Sequence, residues 1–418
     1  MNNLLYGQSG GPTSVINSSG YGVFKAALKN KNIDKCYAGY FGIEGILQRN
    51  LFLIEKSNFN SDSSLLKQTP GSAFGSCRHN LKDYKDDESE YQEVIKIFKE
   101  YNIKYFLYNG GNDSMETVLK LSEYFQKVSF DCCVLGIPKT IDNDLKETDH
   151  TPGFGSASKY IANTILSVEY DCLSYEKGRV NVFEIMGRDT GWLTCASSLA
   201  SLNGYGPDLV YIPEYAFDID EFILDVKRIY QEKGHCFVAV SEGIKDKDGV
   251  FLLEHSKKQS KDNFGHTQLG GVGNYLCSLL SNEGIKTRCI ELNLPQRGNT
   301  FLTSDVDLKE AELCGEKAVE FIINKNTGLM VSLNRVTNKK EADYFNSKIN
   351  YGVKCSLVDI NKVGGQVKYV PFSFYDNKKH LPTKEFISYA KPLIYGEIKI
   401  KTENGLLKVF EDRRSKLK

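Results

Sequence analysis

Six times along this chain a short apolar run stops abruptly in glycine and charged or amide residues. The stops are QSGG (8–11), GGND (110–113), PKTIDND (138–144), MGRD (186–189), SEG (241–243) and PQRG (295–298). The runs before them read as strands at Leu4–Tyr6, Ile103–Tyr108, Cys132–Ile137, Arg179–Met186, Phe237–Val240 and Thr287–Leu292. Helical spacing follows three of the stops, at Val15–Leu28, Met115–Phe125 and Leu193–Leu202. Alternating strands and helices predict an α/β chain, with parallel sheets covered by helices. In such a sheet the ends of the strands lie along one edge, so segments far apart in the chain can build one cleft.

Bulk properties narrow the partners. A chain of 418 residues, 41% of them hydrophobic, has room for two or three domains with real cores. Lys plus Arg equals Asp plus Glu at 53 each, so no global charge favours nucleic acid or an anionic membrane. The start MNNLLYGQSG lacks a signal-peptide pattern, and no run approaches the ~18 apolar residues of a membrane span. A cytoplasmic protein is expected. The eleven cysteines read as reduced, buried thiols; Cys277 and Cys289 with His266 meet no zinc spacing. Asp83–Glu93 reads as a solvated helix start, and the tail EDRRSKLK as exposed and mobile.

Each motif has a plain reading and a chemical one. Gly10 and Gly11 serve a tight turn, or let backbone N–H groups approach an anion at a helix start. Asp113 is an N-cap, or a carboxylate holding Mg²⁺ against phosphate oxygens. Asp142 and Asp144, two apart on an extended loop, point the same way. They make local turn contacts, or one takes a proton from a hydroxyl while the other supports a metal. Lys139 neutralises phosphate. Arg188 ends a strand with a guanidinium that suits a transferring phosphoryl group. Glu242 can accept from sugar hydroxyls, while Arg179, Arg288 and Arg297 flank the same strands. Together these cations and carboxylates favour an anionic substrate over any single plain reading.

GGND, PKTIDND, TPGFGSA, MGRDTGWL, SEG and QRG, in that order, resemble the phosphofructokinase family over roughly residues 4–300. The resemblance implies two doubly wound, Rossmann-like domains with the active site between them. The donor-binding domain would span 1–152 plus about 296–345. The sugar-phosphate domain would span 153–295 plus about 346–418. It implies reversible phosphoryl transfer to the C1 hydroxyl of fructose 6-phosphate, with Asp142 as base, Thr140 positioning, and Arg188 stabilising the moving group. Met186, Gly187, Glu242 and Arg297 would join them around the sugar phosphate. Arg179 and Arg288 would reach the 6-phosphate from a neighbouring subunit, which requires a homodimer or larger homo-oligomer.

Asp113 and Lys139 resemble the pyrophosphate-dependent branch. A carboxylate where an α-phosphate would lie repels ATP, and a lysine suits free pyrophosphate. Gly10, Gly11, Arg78, Asn112, Asp113, Ser114 and Lys139 would then hold pyrophosphate. Asn112 stands where a metal carboxylate is expected, so Asp113, Asn112 and Asp144 are the candidate Mg²⁺ ligands. Leu294 replaces a common His or Tyr, and Tyr21 stands where allosteric members carry Arg, so no nucleotide effector is expected. An ATP-dependent kinase of fructose 6-phosphate or sedoheptulose 7-phosphate, and a non-catalytic subunit of the same fold, stay open as alternatives.

Overall fold

The computed structural model describes residues 2–56, 59, 61–255 and 270–410. The tail 411–418 and His266 lie outside them.

Twelve strands form two sheets. They are β1 (Asn3–Gln8), β2 (Cys36–Gly39), β3 (Leu51–Ile54), β4 (Ile103–Gly110), β5 (Cys133–Pro138), β6 (Val180–Ile185), β7 (Leu209–Tyr211), β8 (Cys236–Ser241), β9 (Thr287–Glu291), β10 (Leu329–Val336), β11 (Tyr344–Asn346) and β12 (Tyr351–Asp359). The larger sheet has the order β11-β12-β10-β5-β4-β1-β2-β3, and its central five strands are parallel. Antiparallel strands finish both edges. The smaller sheet, β7-β8-β6-β9, is parallel throughout. Strands β1, β6 and β8 are buried along their whole length, as expected where helices cover both faces. Strand β9 is an edge strand with Arg288 and Glu291 exposed.

One apolar cluster runs between the two sheets, joining Leu107 and Leu135 to Phe183, Ile185 and Ala239. Helix Phe154–Leu173 supplies Ile161 and Ile165 to it, and helix Asp305–Ile323 supplies Val306, Ala318 and Ile322. Each fully buried aliphatic or aromatic side chain of this kind stabilises by about 1.5–3 kcal/mol. The cleft therefore sits on a continuous floor rather than on a hinge between separate cores.

Three expectations are corrected. The larger sheet keeps the chain beyond residue 345, because β12 pairs antiparallel with β10 from Asp359 back to Gly352. Residues 346–359 thus belong with the first sheet. The expected helix Leu193–Leu202 is α-helical only over Trp192–Ala196 and continues as a 3₁₀ turn. There the Ser197 hydroxyl donates to the Thr194 carbonyl at 2.5 Å, competing with the helical ladder. The helix expected to start near Asp83 begins at Ser89.

Candidate active site in the cleft between the sheets

Parallel pairing sets the turns side by side. Gln8 is in register with Asn109, and Gly110 with Pro138, so QSGG, GGND and PKTIDND leave neighbouring strand ends. Ile185 is in register with Ser241, which brings MGRD beside SEG. These edges face a cavity of about 340 Å³. Its walls include Gly10, Gly11, Arg78, Asn112, Asp113, Ser114, Lys139, Thr140, Asp142, Asp144 and Arg188. Ser9, Gly111, Asp189, Thr190, Gly365 and Val367 complete them; of these, Gly365 and Val367 lie outside every motif read from the sequence.

Lys139 is buried and donates to the Gly11 carbonyl at 2.7 Å. A Cβ on Gly10, which sits at φ 75°, would come within 3.3 Å of the Lys139 Nζ; one on Gly11 would come within 3.1 Å of the Arg297 guanidinium. The two glycines therefore seat two cations at the cleft floor. Burial lowers the Lys139 pKa to about 8, partly offset by the Asp142 charge and reinforced by Arg297 and Arg78.

Asp113 does not cap its helix. The N-cap of helix Asn112–Lys127 is Gly111, and Asp113 stands in the first turn facing the cavity. The Asn112 amide donates to Asp144 Oδ2 at 2.9 Å. Both Asn112 Oδ1 and Asp144 Oδ1 are buried and lack a hydrogen-bond partner among the described residues. Two orphaned hard oxygens beside Asp113 fit a divalent cation such as Mg²⁺. Burial, and then the neighbouring Asp142, raise the Asp144 pKa to about 7.

Asp142 is held from three directions. Its backbone N–H donates to Thr140 Oγ1 at 3.0 Å, the Thr140 hydroxyl donates to its Oδ2 at 3.4 Å, and its carbonyl accepts from Thr190 Oγ1 at 3.3 Å. Burial raises its pKa, and the Lys139 charge opposes that rise. Arg188 is 30% exposed, 3.8 Å from Asp189 and 5.7 Å from the centre of the Phe251 ring. Such weak partners leave the guanidinium able to turn onto an incoming anion.

Beside the cavity, Gly187 lies at φ 147°, and a Cβ there would stand 2.6 Å from the Thr190 carbonyl oxygen. Its N–H donates to Glu242 Oε1 at 3.4 Å, and the Met186 N–H donates to Gln296 Oε1 at 3.2 Å. Burial raises the Glu242 pKa to about 7 and lowers that of Arg297. Arg179 and Arg288 do not join this group. They stand at the opposite ends of β6 and β9, about 20 Å away along a six-residue strand. Arg179 lies 3.5 Å from Asp171 there.

Lys368 was not foreseen. It comes from the C-terminal segment, beside Gly365 and Val367 at the cleft wall. Its backbone N–H donates to the Asp144 carbonyl at 2.8 Å. Its Nζ donates to the carbonyls of Thr148 at 3.2 Å and Asp149 at 3.0 Å, and to Asn143 Oδ1 at 3.4 Å. Asn143, at φ 55°, also donates to the Tyr389 hydroxyl at 2.9 Å. The loop that carries Asp142 and Asp144 is thus clamped from behind by the C-terminal segment.

The profile of the family described as Phosphofructokinase matches residues 3–322. The chain belongs to that family. A pyrophosphate–fructose 6-phosphate 1-phosphotransferase of Halomonas elongata is 36% identical over 412 residues, spanning 97% of this chain and 95% of that protein. A sulfofructose kinase of Alkalicoccus urumqiensis is 28% identical over 90% of this chain and 92% of that one. The crystal structure of a pyrophosphate-dependent phosphofructokinase from Nitrosospira multiformis superposes with a TM-score of 0.84 at 33% identity, covering 97% of this chain and 95% of that one. The two-sheet architecture is the phosphofructokinase fold, with two Rossmann-like halves flanking the cleft.

Proposed function

We infer that this enzyme reversibly transfers a phosphoryl group from pyrophosphate to the C1 hydroxyl of fructose 6-phosphate, giving fructose 1,6-bisphosphate and phosphate. The observation that carries the reading is Lys139 buried at the cleft floor beside Gly10 and Gly11, with Asp113 and Asp142 in the same cavity. The phosphotransferase relatives, near full length, support donor and acceptor together.

In this reading Gly10, Gly11, Arg78, Asn112, Asp113, Ser114 and Lys139 hold pyrophosphate. Asp142 takes the C1 hydroxyl proton, Thr140 aligns the two reactants, and Arg188 swings from Asp189 to the charge that builds on the transferring phosphoryl. Met186, Gly187, Glu242 and Arg297 bind the sugar phosphate. Asp144, Asn112 and Asp113 would hold Mg²⁺, which when bound shields phosphate charge and aligns its oxygens. Arg179 and Arg288, too far from the cleft of their own chain, would serve the 6-phosphate in a homodimer or larger assembly. None of the eleven cysteines is in a disulfide, which suits a reducing cytoplasm. No helix among the described residues is long and apolar enough to cross a membrane.

One paired assay tests the reading: fructose 6-phosphate and Mg²⁺ with either pyrophosphate or ATP, following fructose 1,6-bisphosphate. Product with pyrophosphate alone is expected. Product with ATP alone overturns the donor assignment. Product with neither overturns the acceptor.

A further inference from the structure

Two clusters of metal-type ligands lie outside the cleft among the described residues: Glu184 with Cys289 and Glu291, and Glu221 with Asp225 and His380. In the first, both Glu184 oxygens already accept backbone N–H groups, from Gly271 at 2.8 Å and Gly273 at 2.7 Å. That carboxylate anchors a helix start and needs no ion.

The second cluster is different. Glu221 and Asp225 stand one turn apart on helix Ile219–Lys233 and share a face. His380 arrives from the C-terminal segment. Its carbonyl accepts the Val210 N–H at 2.7 Å, and its ring packs on Tyr211 at 4.8 Å. The residue is 8% exposed, and its backbone sits at φ 50°. Its Nε2 lies 3.6 Å from Glu221 Oε1 and 4.0 Å from Asp225 Oδ2. Both separations are too long for hydrogen bonds, and the ring makes none with any described residue. The other Asp225 oxygen is taken by Arg228 at 3.0 Å, which leaves Oδ2 free to face His380.

A buried imidazole held between two carboxylates, touching neither, is the spacing of ligands around one ion. With metal–ligand bonds of ~2.0–2.2 Å, ligand atoms at a tetrahedral angle stand about 3.4 Å apart. The Tyr211 hydroxyl, buried beneath the same cluster, also has no hydrogen-bond partner among the described residues. Asp225 and Glu221 are among the charges that bear on it.

We propose that Glu221, Asp225 and His380 bind a divalent first-row transition ion of the zinc class, with water completing its coordination. One imidazole and two carboxylates suit such an ion, whereas the all-oxygen cleft suits Mg²⁺. The ion ties the turn before Leu381–Pro382 to helix Ile219–Lys233. It thereby fixes the C-terminal segment against β7, at the edge of the smaller sheet.

The test uses the full chain, stripped with chelator and then kept in excess Mg²⁺ to fill the cleft. Co²⁺ is titrated as the probe, followed by its visible absorption, with thermal midpoints measured in parallel. One equivalent should bind with bands of nitrogen and oxygen ligation and no thiolate-to-cobalt band; Zn²⁺ should displace it and raise the midpoint. Glu221→Gln, at an exposed position, and His380→Gln should each weaken that equivalent by at least about tenfold. Phosphoryl transfer with Mg²⁺ should be unchanged in Glu221→Gln. The proposal is overturned by absence of a bound equivalent, by a thiolate band, or by undiminished binding in the folded Glu221→Gln protein.

Discussion

Replacing Asp142 by Asn separates the proposed base from the scaffold that holds it. The substitution keeps volume and leaves the backbone contacts to Thr140 and Thr190 in place, at 3.0 and 3.3 Å. The side chain loses its charge and its capacity to accept a proton. General-base removal costs about 10²–10⁴ in rate, or about 3–5 kcal/mol of barrier. The neighbours set a second signature. The Asp142 charge is the first influence opposing burial at Lys139, and the second influence raising Asp144. Without it, both pKa values move down, from about 8 and about 7 respectively. Steady-state kinetics in both directions should therefore show kcat collapsed, the KM for fructose 6-phosphate unchanged, and pyrophosphate binding weakened at alkaline pH. A kcat within about tenfold of the parent enzyme, with its pH profile intact, refutes the assignment.

The double change Asp113→Gly with Lys139→Gly removes a charge and a side chain from the donor pocket and should admit ATP; an unchanged donor preference in competition assays contradicts the steric and charge argument. Lys139 is protonated below its folded value of about 8 and neutral above it, whereas an unfolded lysine keeps its proton to about 10.4, so the KM for pyrophosphate should climb as pH rises through about 8 while stability rises with pH between those two values. A flat KM profile through that range removes Lys139 from the donor site. Asp144→Asn should weaken Mg²⁺ activation by at least about tenfold with the fold intact by circular dichroism. Lys368→Met should lower kcat more than it changes either KM, because its three contacts hold the loop and touch no substrate group; equal loss in kcat and thermal midpoint without that split would assign it to folding alone.

The strand ends were legible because each ends a continuous apolar run in residues that cannot continue it. Gly110 and Gly111 after Phe106–Tyr108, and Lys139 after Val134–Ile137, announce themselves. Helix Phe154–Leu173 did not, since its first turns bury Gly155, Ser156, Ala157, Ser158 and Lys159 as well as Ile161 and Ile165, so polar and small residues dilute the helical hydrophobic stripe. Asp113 read equally well as a cap; only the extended backbone of Gly111 shows that the cap is the glycine two residues before it. Lys368 had a faint signal in the alternating VKYV after Gly364 and Gly365. Its role depends on Trp192, whose ring lies 5.1 Å from the Lys368 ammonium, and on loop carbonyls far away in sequence. Contacts made by backbone acceptors leave no residue pattern to read.

The shifted pKa values in the cleft express one electrostatic condition. Burial pushes Asp142, Asp144 and Glu242 up and pushes Lys139, Lys368 and Arg297 down, so each of these six charges is held at a cost. A site filled with like charges would unload that cost by changing protonation. Here cations and carboxylates alternate: Lys139 moderates Asp142, and Lys368 moderates Asp144. An arriving pyrophosphate strengthens the cations, and a divalent ion strengthens the carboxylates. Bound together, the anion and the divalent ion attract each other and offset each other's repulsion of the neighbouring like charges, so pyrophosphate and Mg²⁺ should bind cooperatively. Titration calorimetry of pyrophosphate with and without Mg²⁺ measures that coupling directly. Equal affinities in the two titrations would mean that the two sets of charges do not share the cleft.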